Sequence, residues 1–265
     1  MNNHKIWESF EGNGPIVATS IHNGHRIRKE AAELIALGET DRLREENPYT
    51  AEWLSVGDTQ INVLRSRFEV DLNRPREKAV YIDPEDAWGL QVWKTRPPQE
   101  IIAASLAEYD AFYAEIMRIF STIEKRFGRF VVFDLHSYNH RRQGPDAQPA
   151  EPEGNPEVNI GTGTMDRQRW APLIDRFIKD LSCFQLRGRS LDVRENIKFK
   201  GGQFGRWTHQ SFPESACCLS IEFKKFFMDE WNAQPDHEQI ETIRTALQST
   251  IPGIREELKK MGAAW

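Results

Sequence analysis

The segment RFVVFDLHS, residues 129–137, decides the fold of this chain. It is a short, continuous apolar run that ends in polar residues, among them Asp134 and His136. Such a run is typical of a central strand that is buried on both faces of an α/β sheet. Ligands of these sheets bind beyond the carboxyl ends of the strands, where His136 is expected to lie. Asp134 is two residues away and shares its face, so it is predicted to support the imidazole. The alternative is a capped strand end with a solvated histidine.

Further strand and helix patterns alternate on both sides of this segment. Helices are predicted over residues 29–37, 98–127 (ended by Gly128), 170–181 and 236–261, and strands over 15–21, 62–72 and 217–223. Residues 141–163 are rich in Gly, Pro, Asn and acids and are expected to form a long surface loop. The order of elements predicts the α/β class, with a mixed, mostly parallel sheet flanked by helices. Because no linker or repeat is apparent, residues 1–265 are expected to form a single domain.

The composition excludes some classes of binding partner. The net charge is −5 and both signs are scattered along the chain, which argues against a nucleic-acid-binding surface. No apolar stretch approaches the length of a membrane span, and the N-terminus lacks the apolar segment of a signal peptide. The three cysteines, Cys183, Cys217 and Cys218, are expected to be buried free thiols in a reducing cytoplasm. The expected partner is a small molecule, and a homo-oligomer is compatible with the sequence.

Four apolar runs end in polar groups of complementary chemistry. These groups are His22, the pair Asn73 and Arg74, His136, and Glu222. Two histidines and a carboxylate are the ligand set of a catalytic zinc ion, while a further Glu is suited to act as a general base. Arginines bind a substrate carboxylate through paired hydrogen bonds. The set therefore predicts a hydrolase that acts on an amide next to a carboxylate.

Less specific explanations exist for the same charged residues. Arg67 and Arg74 would, as ordinary surface arginines, pair with Glu69 or Asp71. Glu222 would, as an edge-strand carboxylate, be neutralised by Lys224 or Lys225.

The segment SRFEVDLNRP, residues 66–75, resembles the SR-x-x-x-DLNRP element of the N-formylglutamate amidohydrolases. Five further segments match the family in the same order, and they are SIHNG (20–24), DLHS (134–137), NIGT (159–162), FKGG (199–202) and IE (221–222). Together they extend from about residue 15 to 230. The family is similar in fold to zinc carboxypeptidases and to the aspartoacylase group. The resemblance thus implies a zinc-dependent amidohydrolase with a zinc-carboxypeptidase-like fold.

The resemblance also implies a set of Zn²⁺ ligands. His22 and His136 match the two histidine ligands of the family. Thr50-Ala51-Glu52-Trp53 is similar to the element that carries the family's acidic ligand, so Glu52 is expected to complete the set. His25 is the next candidate, followed by Glu30 or Asp58.

The remaining roles follow from the same resemblance. Glu222 resembles the general base and acid, and Arg67 the arginine that polarises the scissile carbonyl. Asn73 and Arg74 resemble the pair that binds the substrate carboxylate. Arg206, together with Arg141 or Arg142, is expected to bind a second carboxylate.

The expected reaction is the hydrolysis of N-formyl-L-glutamate to formate and L-glutamate. One alternative is a related metal-dependent amidase or carboxypeptidase-like hydrolase with another acidic or peptide substrate, because loops determine substrate choice. The other alternative is a metal-free binding module that has kept the pocket.

Overall fold

A seven-stranded sheet forms the centre of the computed structural model, which describes residues 5–264. The strands of the described residues are β1 (Trp7–Phe10), β2 (Ile16–Ser20), β3 (Thr59–Val63), β4 (Phe130–Tyr138), β5 (Val158–Gly161), β6 (Gln185–Leu186), β7 (Arg189–Ser190), β8 (Val193–Glu195) and β9 (Ala216–Lys224). Seven of them form the central sheet in the order β1-β3-β2-β4-β9-β5-β8, and the other two, β6 and β7, pair in a separate hairpin.

Parallel pairing dominates the sheet. Strand β2 runs parallel to both β3 and β4, β4 runs parallel to β9, and β5 runs parallel to β8. Only the pairs β1–β3 and β5–β9 are antiparallel. The predicted mixed, mostly parallel sheet is confirmed. Because β2, β4 and β9 are parallel neighbours, their carboxyl ends lie at the same edge of the sheet.

Helices cover both faces of the sheet. They are α1 (Lys29–Ala32), α2 (Glu39–Glu45), α3 (Gln99–Phe127), α4 (Ala171–Cys183), α5 (Gln203–Ser211) and α6 (His237–Lys260). Alternate residues of β4 enter two separate cores, with Phe133 among the residues of α4 and α6 and Val132 among those of α3 and α5. Burying one such apolar side chain contributes about 1.5–3 kcal/mol. The sequence-predicted helices at 98–127, 170–181 and 236–261 are confirmed within two residues at each end.

Two sequence-predicted elements are shorter than expected. The helix predicted over 29–37 ends at Ala32, because the backbone of Ala36 bonds to Val92 instead of continuing the helix. The β-rich segment predicted over 62–72 leaves the sheet after Val63. There the backbone amides of Glu69 and Val70 both bond to the carbonyl of Ser66, which forms a turn.

The other composition-based predictions have mixed outcomes. Cys217 and Cys218 are buried free thiols, but Cys183 is exposed, because it ends α4 on the side away from the core. Only the first part of the predicted 141–163 loop is irregular, since β5 begins at Val158. Among residues 5–264, no helix is long and apolar enough to cross a membrane.

Candidate active site

A cavity of about 460 Å³ lies at the carboxyl ends of β2, β4 and β9. It is lined by His22, which follows β2, by His136 near the end of β4, and by Glu222 near the end of β9. The ladder between β4 and β9 pairs His136 directly with Glu222, so the two side chains emerge side by side. The structure thus brings together three of the sequence-predicted residues.

His22 is held by a buried ion-pair network. Its Nε2 donates to Oδ1 of Asp71 over 2.7 Å, and Asp71 is completely buried. Nη2 of Arg67 donates to Oδ2 of Asp71 over 2.7 Å, and the hydroxyl of Tyr81 donates to the same oxygen. Burial would raise the pKa of Asp71, but Arg67 and His22 outweigh it and hold the pKa well below its usual range. Burial and the charge of Arg67 lower the pKa of His22 to about 4, so its imidazole is neutral at pH 7.

His136 also lies next to a carboxylate. Its Nε2 is 2.9 Å from Oδ2 of Asp134, which is completely buried, but the two atoms are not aligned for a hydrogen bond. On the other side of the ring, Nδ1 lies 3.1 Å from Oδ1 of Asn47. Burial alone would lower the pKa of His136, but the charges of Asp134 and Glu222 raise it to about 9. The two imidazoles are close, with ring centroids 5.0 Å apart.

Glu222 is half-buried beside His136. Burial raises the pKa of its carboxyl to about 7, although His136 acts in the opposite direction. Lys225 does not neutralise Glu222, because its ammonium group donates to the backbone carbonyls of Arg44 and Glu46 at 2.6 and 2.9 Å. A carboxyl group of this kind exchanges protons readily near neutral pH.

The cavity wall is strongly basic. Eight lining residues are cationic types and two are carboxylates. The basic ones are Arg44, Arg67, Arg74, Arg142, Lys198, Lys200, Arg206 and Lys225. This balance contrasts with the net charge of −5 for the whole chain, so positive charge is concentrated at the cavity. A cavity of this kind favours an anionic ligand.

Arg67 is fixed in the wall before any ligand binds. Besides Asp71, it donates to the hydroxyl of Tyr81 at 3.2 Å and to the carbonyl of Glu45 at 3.3 Å. Its guanidinium also lies 4.8 Å from the ring of Trp88, an exposed residue on the cavity wall. The pairing of Arg67 with Asp71, proposed as the less specific explanation, is therefore present, yet Arg67 still lines the cavity.

The predicted substrate-binding residues have different placements. Arg74 and Arg206 both line the cavity. Asn73 lines it too, but its Oδ1 accepts from the backbone amide of Phe204 at 2.9 Å and so anchors the start of α5.

Arg141 does not line this cavity. Its backbone amide donates to Glu230 and its Nε to the carbonyl of Ala147, so it faces a neighbouring surface. The next residue, Arg142, lines the cavity instead and pairs with Glu45 at 3.1 Å.

The four sequence-predicted candidates for the acidic ligand all lie away from the cavity wall. Glu52 is exposed on a short 3₁₀ helix, Thr50–Val56. The next residue, Trp53, is completely buried, and this orientation turns Glu52 toward solvent. The other candidates are also engaged elsewhere or exposed: His25 bonds to Glu46 at 2.8 Å, Glu30 is exposed, and Asp58 pairs with Arg255 at 2.6 Å. The expected placement of Glu52 beside the two histidines is therefore not found.

The histidines fit a metal ion, whereas the predicted carboxylate ligand is missing. Nε2 of His22 bonds to Asp71 and Nε2 of His136 lies 2.9 Å from Asp134, and carboxylates behind the rings are common to metal-bound histidines. A metal would then bind on the Nδ1 side of the rings, where Nδ1 of His136 contacts Asn47 in this structure. In the part of the chain that the structure describes, no group of three or more His, Cys, Asp or Glu residues is arranged to hold a metal ion. His22 and His136 both line the cavity, whereas Glu52 does not.

Several residues of the site were not identified from the sequence. Asp71 was considered only as an ion-pair partner, although it lies within the DLNR segment and two residues before Asn73. Tyr81, Trp88 and Asn47 carry no local signal, because only the tertiary structure brings them to the cavity. Lys225 was considered only as a neutralising charge.

Comparisons with known proteins agree with this architecture. Residues 14–228 match the family model for N-formylglutamate amidohydrolase. The fold is similar to that of an N-formylglutamate amidohydrolase from Ralstonia eutropha JMP134, with a TM-score of 0.74 and 16% identity over 96% of this chain and 98% of that one. It is also similar to gene product Atu2144 from Agrobacterium tumefaciens, with a TM-score of 0.62 and 18% identity over 98% and 94% of the two chains.

No curated protein matches the chain. The two structural similarities, at identities this low, show a common fold. The family model covers most of the chain, including His22, Asp71, His136 and Glu222. On that match, the chain belongs to the N-formylglutamate amidohydrolase family.

Proposed function

We propose that the protein is a zinc-dependent amidohydrolase that converts N-formyl-L-glutamate and water to formate and L-glutamate. One observation carries the proposal: His22, His136 and Glu222 face a cavity whose wall is predominantly basic. The trio has the chemistry needed to hydrolyse an amide, and the wall has the charge needed to bind a dicarboxylate. Family membership supports the same reaction.

The two histidines would hold the zinc ion. A bound zinc ion would polarise the scissile carbonyl and lower the pKa of water. Asp71, which accepts from Nε2 of His22, and Asp134, which lies 2.9 Å from Nε2 of His136, would orient the two rings from behind.

Glu222 moves the proton in this proposal. It takes a proton from the attacking water and delivers it to the amide nitrogen as the bond between that nitrogen and the formyl carbon breaks. Arg67 lies on the same wall and carries a fixed positive charge, since Asp71 and Tyr81 raise its pKa against the effect of burial. It would stabilise the negative charge that develops on the carbonyl oxygen.

The basic wall selects the substrate. Arg74 and Arg206 both line the cavity. Among the ion pairs of the described residues, neither arginine has a carboxylate oxygen closer than 4.0 Å, so both are available to the substrate. Arg142 is less available because it already pairs with Glu45. N-formyl-L-glutamate carries two carboxylates, which matches two available arginines.

Steady-state assays of formate and amine release would test the substrate. The comparison should include N-formyl-L-glutamate, N-formyl-L-glutamine, N-acetyl-L-aspartate and a short peptide. We expect the highest kcat/KM for N-formyl-L-glutamate, and a clear loss for the glutamine analogue, which lacks the second charge. Faster turnover of N-acetyl-L-aspartate or the peptide would contradict the assignment and favour the related hydrolases.

Replacing Arg74 by Ala is expected to raise KM for N-formyl-L-glutamate about 10–100-fold, because a charge-assisted hydrogen bond contributes about 1.5–3 kcal/mol. The effect on kcat should be smaller. Arg76→Ala is the matched control, since Arg76 pairs with Asp110 on the surface and lies outside the cavity. Equal KM values for the two variants would show that Arg74 does not bind the substrate.

Removing the metal is expected to abolish turnover. Dialysis against a chelator should lower the rate at least about 100-fold, as expected when a metal supplies several kcal/mol to the transition state. Adding Zn²⁺ back should restore it. An unchanged rate in metal-depleted protein, verified by elemental analysis, would contradict zinc dependence and favour metal-free hydrolysis. No turnover and no bound zinc in the purified protein would favour a binding module.

We also propose a cytoplasmic location and a small acidic molecule as the partner. All three cysteines are free, which is the usual state in a reducing compartment.

A further inference from the structure

We propose that Asn47 supplies the third protein ligand of the zinc site through its side-chain carbonyl oxygen, in the place where a carboxylate was expected. The inference rests on the zinc-dependent function proposed above. It accounts for two histidines at the cavity that, among the described residues, belong to no group of three or more His, Cys, Asp or Glu arranged to hold a metal ion.

The position of Asn47 fits this role. Its Oδ1 lies 3.1 Å from Nδ1 of His136, which is the ring nitrogen opposite the one that faces Asp134. Its backbone amide donates to the carbonyl of His22 over 2.8 Å. Asn47 therefore contacts both histidines of the site and lines the same cavity. Its oxygen lies on the Nδ1 side of His136, and a metal ion bound there would replace the contact between Nδ1 and Oδ1 with two bonds to the ion.

The orientation of the amide is fixed. The Nδ2 group of Asn47 donates to the carbonyl of Ser137 over 2.8 Å, so the other end of the amide, Oδ1, is directed at His136. The hydroxyl of Thr50 donates to the backbone carbonyl of Asn47, also over 2.8 Å. Lys225 holds the preceding carbonyl, that of Glu46, over 2.9 Å. Asn47 is 97% buried in the wall of the cavity.

Neighbouring acids are excluded by their own contacts. Glu46 is completely buried, but it accepts from the hydroxyl of Ser66 and from Nδ1 of His25, so it points away from the cavity. Glu45 pairs with Arg142. Asn47 is thus the residue of this segment whose side-chain oxygen reaches a site histidine.

A neutral third ligand changes the metal chemistry. Zinc sites of hydrolases usually contain a carboxylate or a third histidine, and amide oxygens are more common around harder cations. An amide oxygen donates less charge than a carboxylate, so the ion would be bound less tightly. We therefore expect reversible zinc binding that a single Asn47→Asp substitution strengthens.

Calorimetric titration of metal-free protein with ZnCl₂ tests the inference directly. Asn47→Asp should tighten zinc binding, and Asn47→Leu, which keeps the side-chain size, should weaken it, each by at least about tenfold, the smallest effect seen for changes around a metal ligand. Glu52→Ala is the matched control and should bind zinc like the wild type. The zinc-induced rise in Tm, measured on the same samples, should be largest with Asp at position 47, smaller with the wild-type Asn and smallest with Leu.

Three outcomes are informative. If wild type and Asn47→Leu bind zinc equally, Asn47 is not a ligand, while the zinc-dependent function still stands. If no variant binds zinc, both the inference and the proposed zinc dependence are overturned. If Glu52→Ala loses zinc and Asn47→Leu keeps it, the carboxylate first expected from the sequence is the ligand. Melting curves in chelator show whether the variants are folded before zinc is added.

Discussion

Replacing Glu222 by Gln is expected to lower kcat for N-formyl-L-glutamate by about 10²–10⁴-fold, the usual contribution of a general acid–base group. The substitution keeps the shape of the side chain and removes only its ability to exchange a proton. Binding of the substrate should change little, because the basic wall of the cavity is left intact. The loss should therefore appear in kcat much more than in KM.

The position of Glu222 makes this variant easy to interpret. Nine residue pairs connect β4 and β9, and the ladder on the other side pairs Glu222 with Asn159. Such a residue cannot move out of the cavity when its charge is removed. Because burial disfavours the carboxylate, the variant should be at least as stable as the wild type. Glu52→Gln removes an exposed carboxylate elsewhere and should keep full activity.

The measurements are kcat and KM together with a thermal unfolding curve. Activity that survives Glu222→Gln undiminished would exclude Glu222 as the proton carrier. If Glu222→Gln stays active while Glu52→Gln is inactive, the proton carrier is Glu52, on the 3₁₀ helix at Thr50–Val56.

Replacing Asp71 by Asn is expected to lower the free energy of unfolding by about 3–5 kcal/mol, since it leaves a buried charge without its partner. Asp71 is completely buried and accepts hydrogen bonds from His22, Arg67, Tyr81 and the backbone amide of Asn73. An asparagine of the same size offers one neutral oxygen and an NH₂ group that is also a donor. The charge of Arg67 would then face another donor beside a completely buried side chain.

Urea unfolding in the presence of a chelator measures this loss without a contribution from bound metal. Asp110→Asn is the matched control, because Asp110 also pairs with an arginine, Arg76, but at the exposed surface. It should leave the unfolding midpoint nearly unchanged. A double-mutant cycle with Arg67→Met should show that much of the cost disappears when the unpaired charge is removed as well. Equal unfolding midpoints for Asp71→Asn and Asp110→Asn would contradict this account.

The sequence predicted those parts of the site that depend on local patterns. His22, His136 and Glu222 each follow or end an apolar run, and parallel strands place the ends of such runs at one edge of the sheet. The same pattern included Arg74, and the resemblance added Arg67; both residues line the cavity.

The parts that were missed depend on contacts between distant segments. Glu52 was expected at the histidines because its segment matched a motif, but burial of Trp53 turns it to solvent. Asn47 reaches His136 through a loop that Lys225 and Ser137 hold in place, and no pattern within that loop indicates this. Arg141 and Arg142 differ by one position, and contacts with distant residues, such as that of the Arg141 backbone with Glu230 and that of Arg142 with Glu45, accompany their different placements.

The parallel neighbours β2, β4 and β9 also determine when the site forms during folding. The site residues at the ends of these strands, His22, His136 and Glu222, lie far apart in the chain, and no hairpin or helix of the described residues contains two of them. Pairing of such distant segments requires closure of long loops, which is slow and entropically costly. Partly folded chains therefore carry only fragments of the site, and hydrolytic activity appears only when the central sheet is complete.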